Sequence, residues 1–110
     1  MLDNLTYTDV AGGRSDHQII VYALSTCGFC KRAMAFLNSK GVAYKYVYMD
    51  HVPLETKNEA KKALKERYKS DVAFPFAVID GEKPLVGFIE PDWVATLGLD
   101  KDESRKTLGL

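Results

Sequence analysis

One stretch of the chain runs from a strand-forming segment almost directly into a helix-forming one, and this junction limits the fold more than any other feature. Residues 19–24 form a continuous apolar run rich in β-formers, as expected of a buried strand. Residues 31–40 follow a helical pattern that Gly41 ends in a C-cap position. Ser25 and Thr26 stand between the two segments and are predicted to cap the helix. A strand followed so closely by a helix is typical of an α/β fold.

Both cysteines of the chain lie at this junction, in the sequence Cys27-Gly28-Phe29-Cys30. Cys27 is predicted to lie in the exposed first turn of the helix, where unpaired N–H groups and the helix dipole favour a thiolate over a thiol. Cys30 is followed at helical spacing by three small or apolar positions, so we expect it to face the core. This asymmetry predicts a thiol–disulfide redox site, with Cys27 as the attacking nucleophile and Cys30 as the resolving thiol.

The composition excludes several classes of protein. The chain has 110 residues, 46% of them hydrophobic, which suits one domain with a modest core. Its 15 basic and 15 acidic residues cancel, and a net charge of zero argues against a nucleic-acid surface. No apolar run approaches the roughly 18 residues that span a bilayer, and the first residues lack the pattern of a secretory signal. We therefore expect a cytoplasmic protein that binds neither nucleic acid nor membrane.

Five segments after the first helix have the period and composition of regular elements. They are predicted as strand, helix, strand, strand and helix over residues 42–49, 54–68, 76–79, 84–88 and 91–97. Asp80-Gly81 is a hairpin-turn signal between the last two strands, and Gly98 ends the last helix. Strands separated by helices should pair in parallel and the hairpin antiparallel. The pattern therefore predicts a four-stranded mixed sheet flanked by three helices.

The chain is predicted to divide into a short arm, one domain and a tail. Residues 1–16 are polar and contain Gly12-Gly13, which predicts a flexible N-terminal arm with at most a short strand near residues 5–7. The domain is expected to span residues 17–99. Residues 100–110 are expected to form a C-terminal tail.

Three features together resemble those of one family. They are the Cys27-x-x-Cys30 motif at a strand-to-helix turn, the order of the elements, and a proline, Pro75, that opens the third strand. In these the chain resembles the glutaredoxins of the thioredoxin superfamily, over about residues 18–99. The resemblance implies a thioredoxin-like fold and an enzyme that reduces protein disulfides or mixed disulfides. It also implies a cis bond between Phe74 and Pro75 that faces the active cysteine, with the Phe74 backbone pairing with the thiol substrate.

The predicted substrate contacts follow largely from this resemblance. Phe29 is expected to contact substrate because it lies at the helix tip between the cysteines, where burial is hard. The full predicted set is Thr26, Phe29, Phe74, Pro75, Gly87, Phe88 and Asp92. The segment with Gly87-Phe88 and Pro91-Asp92 is similar to redoxins that donate electrons to ribonucleotide reductase and are recharged by thioredoxin reductase.

The electron donor is the point at which the chain departs from many family members. Leu24 stands where many glutathione-using members carry a lysine that pairs with a substrate carboxylate. The resemblance therefore implies glutathione, another low-mass thiol or thioredoxin reductase as the reductant, and no permanently bound cofactor. We expect a monomer whose partners are protein disulfides and this thiol or reductase.

Two metal-binding alternatives compete with the redox interpretation. A structural zinc site needs four ligands, and beyond the cysteines the only strong candidates are His17 and His51, so no metal is predicted. Glutaredoxins with the motif Cys-Gly-Phe-Ser hold an iron–sulfur cluster between two subunits, and residues 27–30 differ from that motif by one atom. The alternative function is therefore an iron–sulfur cluster binding or transfer module that uses Cys27.

Overall fold

The computed structural model describes residues 5–99. The predicted tail, residues 100–110, and the first four residues of the predicted arm lie outside the described residues. The elements in chain order are β1 (Thr8–Val10), β2 (Ile19–Ala23), α1 (Gly28–Ser39), β3 (Tyr44–Tyr48), α2 (Leu54–Tyr68), β4 (Phe76–Ile79), β5 (Lys83–Val86) and α3 (Glu90–Leu97). A short 3-10 turn, Met49–His51, connects β3 to α2.

The strands form one mixed sheet in the order β1-β3-β2-β4-β5. β2 and β3 are parallel, β4 is antiparallel to both β2 and β5, and β1 is antiparallel to β3. The thioredoxin-like α/β fold with three helices is therefore confirmed, but the sheet has five strands rather than the predicted four. Among residues 5–99, no helix has the length and apolar character needed to cross a membrane.

The additional strand lies within the segment that was expected to form a flexible arm. A short strand was predicted near residues 5–7, whereas the observed one spans Thr8–Val10. Thr8 and Asp9 are exposed and only Val10 packs against the core, so this strand pairs mainly through its backbone and has almost no hydrophobic pattern in the sequence. The chain then stays close to the sheet, because a Cβ on Gly12 would lie 2.6 Å from the backbone nitrogen of Ala43. Gly12 is thus explained by close backbone approach rather than by a loose arm.

The two faces of the sheet carry separate cores, and alternation along β2 supplies both. Ile19, Val21 and Ala23 face a core shared with α1 and α3, whereas Tyr22 faces the core under α2. Leu37 of α1 is fully buried, and burial of such a side chain contributes about 1.5–3 kcal/mol. β2 is therefore packed from both sides, which fixes the strand that leads to the cysteines.

The hairpin turn and the end of α3 lie where the sequence predicts them, although β5 spans Lys83–Val86 rather than residues 84–88 and α3 begins at Glu90. Asp80 and Gly81 both have positive φ, at 55° and 70°, and the Glu82 N–H donates to the Ile79 carbonyl at 3.1 Å. Two positive φ angles are what a tight type I′ turn requires. Gly98 adopts the left-handed conformation at φ 72° and ends α3, where the sequence predicts the stop.

Candidate active site

The turn from β2 to α1 makes Cys27 the N-cap of the helix. Its backbone is extended, at φ −85° and ψ 118°, and its Sγ accepts the Cys30 N–H at 3.2 Å. The Cys27 N–H donates to the Leu24 carbonyl at 3.2 Å, which closes the turn in four residues. The prediction that Ser25 or Thr26 caps the helix is therefore wrong. The predicted helix start at residue 31 is also wrong, because α1 begins at Gly28. Capping preferences favour hydroxyl side chains, but here a sulfur accepts the free N–H.

The sulfur of Cys27 lies at the positive end of α1, beside a backbone hydrogen-bond donor. Its side chain is half-buried, and no acidic residue lies in the first turn of α1. The positive end of a helix stabilises a negative charge by about 0.3–1 kcal/mol, and the N–H of Cys30 adds a direct donor. The sulfur is therefore both accessible and electrostatically supported.

Cys30 lies in the opposite kind of environment. Its side chain is fully buried in the core beneath α1, and neither cysteine is in a disulfide. Burial, together with the hydrogen bond to Cys27, raises the pKa of the Cys30 thiol from its ordinary value to about 12. The inward orientation predicted from helical spacing is confirmed, and Cys30 keeps its proton near neutral pH.

A cis peptide bond joins Phe74 and Pro75 beside the turn. The Cys27 thiol donates to the Phe74 carbonyl, with the sulfur 3.8 Å from the oxygen. Pro75 is fully buried, and its carbonyl accepts the Gly87 N–H at 2.8 Å. The structure therefore has the cis proline that the family resemblance implied, and it connects the cysteine turn to the segment that follows β5.

Of the predicted contact residues, two are exposed at the tip of α1 and a third, Phe88, is half-buried against the core. Thr26 and Phe29 are exposed at the tip of α1, and the Arg32 guanidinium lies 5.5 Å from the centre of the Phe29 ring. Phe88 is half-buried, with ring centres 5.6 Å from Phe36 and 5.3 Å from Trp93. The half-buried ring of Phe88 therefore packs against the core beneath the site.

Gly87 and Asp92 occupy different places in the segment after β5. Gly87 has φ 75°, and its carbonyl accepts the Trp93 Nε1–H at 3.1 Å. Asp92 is exposed in the first turn of α3, and no hydrogen bond or ion pair within residues 5–99 joins its side chain to the cysteines. The backbone of Gly87 thus lies against the cis proline, whereas the side chain of Asp92 is exposed on α3.

Asp50 is a site residue that sequence reasoning missed. Its Oδ1 accepts the Ser25 N–H at 2.9 Å, and its Oδ2 accepts the Ser25 hydroxyl. These two bonds lower the pKa of the Asp50 carboxyl. A signal was present in the strand pairing, because parallel β2 and β3 end side by side, with Ala23 opposite Tyr48. Residues two positions beyond each strand therefore meet at one edge of the sheet.

The two histidines weighed as zinc ligands each lie beside an aspartate. Within residues 5–99, no group of three or more His, Cys, Asp or Glu side chains is placed to hold a metal ion. His17 Nδ1 lies 2.8 Å from the Asp80 carboxylate, and His51 lies beside Asp50. A cluster shared between two subunits is not tested by this arrangement and stays a prediction.

Several known proteins are similar to this chain in sequence, and some of them also in structure. A family model described as glutaredoxin matches residues 19–83. A probable glutaredoxin from Synechocystis is 35% identical over 65 residues, which cover 59% of this chain and 68% of that protein. The structure of glutaredoxin from Methanosarcina mazei aligns with a TM-score of 0.71 and 35% identity, over 84% of this chain and 87% of the other. Methanoredoxin from Methanosarcina acetivorans aligns with a TM-score of 0.69 and 36% identity, over 78% and 90% of the two chains.

Proposed function

The chain belongs to the glutaredoxin family, and from that premise we propose that it is a thiol–disulfide oxidoreductase acting through Cys27 and Cys30. Its substrates are protein disulfides or mixed disulfides. One observation carries the proposal: Cys27 Sγ accepts the Cys30 N–H at the start of α1, while the Cys30 thiol is fully buried. An accessible attacking sulfur beside a buried resolving one suits disulfide exchange in two steps.

In the first step, the Cys27 thiolate attacks one sulfur of the substrate disulfide. A bond forms between Cys27 Sγ and that sulfur, the substrate S–S bond breaks, and the other sulfur leaves as a thiolate that takes a proton from water. The Cys30 N–H, 3.2 Å from Cys27 Sγ, stabilises the attacking anion. When an external thiolate instead attacks the substrate sulfur of the mixed disulfide, Cys27 is the leaving thiolate, and the same N–H donor stabilises it.

In the second step, Cys30 attacks Cys27 Sγ and releases the reduced substrate as a thiolate. Cys30 gives its proton to water, an intramolecular disulfide forms, and two electrons have passed from the cysteine pair to the substrate. Burial raises the pKa of Cys30 most, and the hydrogen bond and charge of Cys27 raise it further. A mixed disulfide on Cys27 removes that charge, so ionisation of Cys30 becomes easier when it is needed.

We place the substrate between the tip of α1 and the segment that carries the cis proline. An extended chain attached to Cys27 passes the Phe74 backbone, whose carbonyl lies 3.8 Å from Cys27 Sγ, and can pair with it in the manner of an added strand. The proposed contacts are Thr26, Phe29, Phe74, Pro75, Gly87, Phe88 and Asp92. Phe29 is exposed two residues after Cys27, and the Phe74 carbonyl before the cis proline contacts the Cys27 thiol, which supports this placement.

A trapping experiment tests the function directly. In the Cys30→Ser variant, a peptide disulfide should leave a stable adduct on Cys27, which intact-mass and peptide-mass measurements detect. Cys27→Ser is the matched control, because it keeps the other sulfur but should yield no adduct. Equal labelling of the two variants, or labelling of neither, would reject the proposal.

The reductant is the open part of this function. We propose that glutathione, another low-mass thiol or thioredoxin reductase returns the oxidised pair to the dithiol, with no permanently bound cofactor. Leu24 is half-buried and packs against the core under α2, so its position offers no charge to a glutathione carboxylate. A coupled turnover assay that supplies each donor separately should give one donor a clear advantage in kcat/KM, with Cys27→Ser as the blank.

A further inference from the structure

Each end of β2 is held by an aspartate that accepts two hydrogen bonds. Asp50 Oδ1 accepts the Ser25 N–H at 2.9 Å, and its Oδ2 accepts the Ser25 hydroxyl. At the other end of the strand, Asp80 Oδ1 accepts the Gln18 N–H at 2.8 Å, and its Oδ2 lies 2.8 Å from His17 Nδ1. The two contacts have the same form, one backbone donor and one side-chain donor. Only the Asp50 contact lies next to the cysteines.

Ser25 is the first central residue of the turn that places Cys27. The Cys27 N–H donates to the Leu24 carbonyl across this turn at 3.2 Å. The next central residue, Thr26, is exposed, so the bonds from Ser25 to Asp50 are the side-chain anchor of the turn. Any shift of Ser25 therefore moves Cys27 relative to the two groups that contact its sulfur, the Cys30 N–H and the Phe74 carbonyl.

We propose that Asp50 is a positioning residue for disulfide exchange, which by holding Ser25 keeps Cys27 Sγ between the helix start and the cis-proline segment. This role rests on the proposed function of the cysteine pair. Asp50 makes no contact with the sulfur, so it acts through the turn. Misplacement of reacting atoms by about 1 Å can lower a rate by about 100-fold, and two further contacts hold Cys27 here. We therefore expect a loss of about three- to tenfold.

The charge of Asp50 is a separate effect that the test must distinguish from its position. His51 Nε2 lies 3.9 Å from Asp50 Oδ2, and both Tyr48 and Cys30 are close enough to experience the carboxylate charge. The bonds from Ser25 lower the pKa of Asp50, so the carboxylate is ionised near neutral pH. An amide in its place removes the charge but keeps the shape and an oxygen that can accept the Ser25 N–H.

The experiment uses the full, reduced chain and follows single-turnover attack on dipyridyl disulfide at pH 7. Asp50→Ala should slow this attack about three- to tenfold, and Asp50→Asn should restore it to within about twofold of wild type. Asp80→Ala and Asp80→Asn are matched controls, because they remove the same kind of contact from the opposite end of β2. Both control variants should react within about twofold of wild type, although thermal unfolding should show a similar loss of stability in the two alanine variants.

Several results would overturn the positioning role. Unchanged attack in Asp50→Ala would do so, and so would equal slowing in Asp50→Ala and Asp80→Ala, which would indicate a general loss of stability. Equal slowing in Asp50→Ala and Asp50→Asn would assign the effect to charge. If Asp50→Ala does not fold, Ser25→Ala removes only the hydroxyl bond and should still slow attack, whereas a wild-type rate there would reject the role. A wild-type protein no faster than Cys27→Ser would reject the proposed function itself, and the positioning role with it.

Discussion

Cys27 and Cys30 are three residues apart in one turn of chain, yet they occupy opposite environments. Cys27 is half-buried and its sulfur accepts a backbone N–H, whereas Cys30 is fully buried with its pKa raised to about 12. The residue type is the same, so the difference comes from position in the helix. An N-cap side chain lies beside the helix end, and three residues later the helix turns its side chain into the core. Helix geometry thus produces the two environments on which the proposed roles of attacking and resolving sulfur depend.

The largest expected difference between the two sulfurs is in the rate of disulfide reduction. Cys27→Ser removes the only accessible sulfur of the pair and should lower the reduction of a protein disulfide by roughly 1,000-fold or more. Cys30→Ser should retain reduction of mixed disulfides with a low-mass thiol, because that reaction requires one attacking sulfur. Steady-state assays with both substrate types measure this. Equal loss in both variants with both substrates would contradict the division of roles.

A second difference should appear in stability at alkaline pH. Burial raises the pKa of Cys30 from 9.0 to about 12, so between these values the unfolded chain releases a proton that the folded chain retains. The stabilisation is complete below about pH 9 and is lost as pH rises towards 12, with a slope of at most about 1.4 kcal/mol per pH unit. Urea unfolding at a series of pH values should show a steeper decline in wild type than in Cys30→Ala.

The matched control for this measurement is Cys27→Ala. It removes the accessible sulfur and leaves the buried one in place, so its stability should still fall with pH, although less than that of wild type because the bond and charge of Cys27 also raise the pKa of Cys30. A decline in Cys30→Ala as steep as in Cys27→Ala would show that Cys30 does not titrate differently in the folded and unfolded chains.

The smallest expected effect concerns the surface around Cys27. The Phe29 side chain is 58% exposed, so Phe29→Ala should cost little stability but raise KM for a protein disulfide about two- to fivefold through lost apolar contact. The rate with a low-mass disulfide should change less. Leu54→Ala is a suitable control, because Leu54 is 71% exposed at the start of α2. If both variants raise KM alike, Phe29 has no specific contact with substrate.

Much of the fold could be predicted because its elements have clear periods. The limits of α2 agree with prediction at both ends, since charged residues cover all but one narrow face. β1 could not be placed in this way, because three mostly exposed residues carry no apolar alternation and their position depends on the free edge of β3. Local pattern therefore identifies elements that bury several side chains, and it misses a short strand that is held mainly by backbone pairing.

The features of the site that follow from helix geometry could be predicted from the sequence, and the others could not. The inward side of Cys30 follows from spacing alone, whereas the cis bond before Pro75 came from family resemblance, because sequence pattern does not distinguish cis from trans. Ser25 was assigned to the wrong role because its hydroxyl suits a helix cap. Its actual acceptor, Asp50, is 25 residues away in the chain, and only the pairing of β2 with β3 brings the two together.

The two outer strands have a consequence for how the protein meets other chains. β1 has only three residues, and β5 has four, one of which is Pro84, which has no N–H to donate. Short strands and edge prolines discourage the growth of a sheet by addition of further chains. Under the proposed function, the protein contacts disulfide-bonded polypeptides, whose exposed backbone groups could pair with a sheet edge. Blunt sheet edges would let it exchange sulfur bonds with such chains while resisting co-aggregation with them.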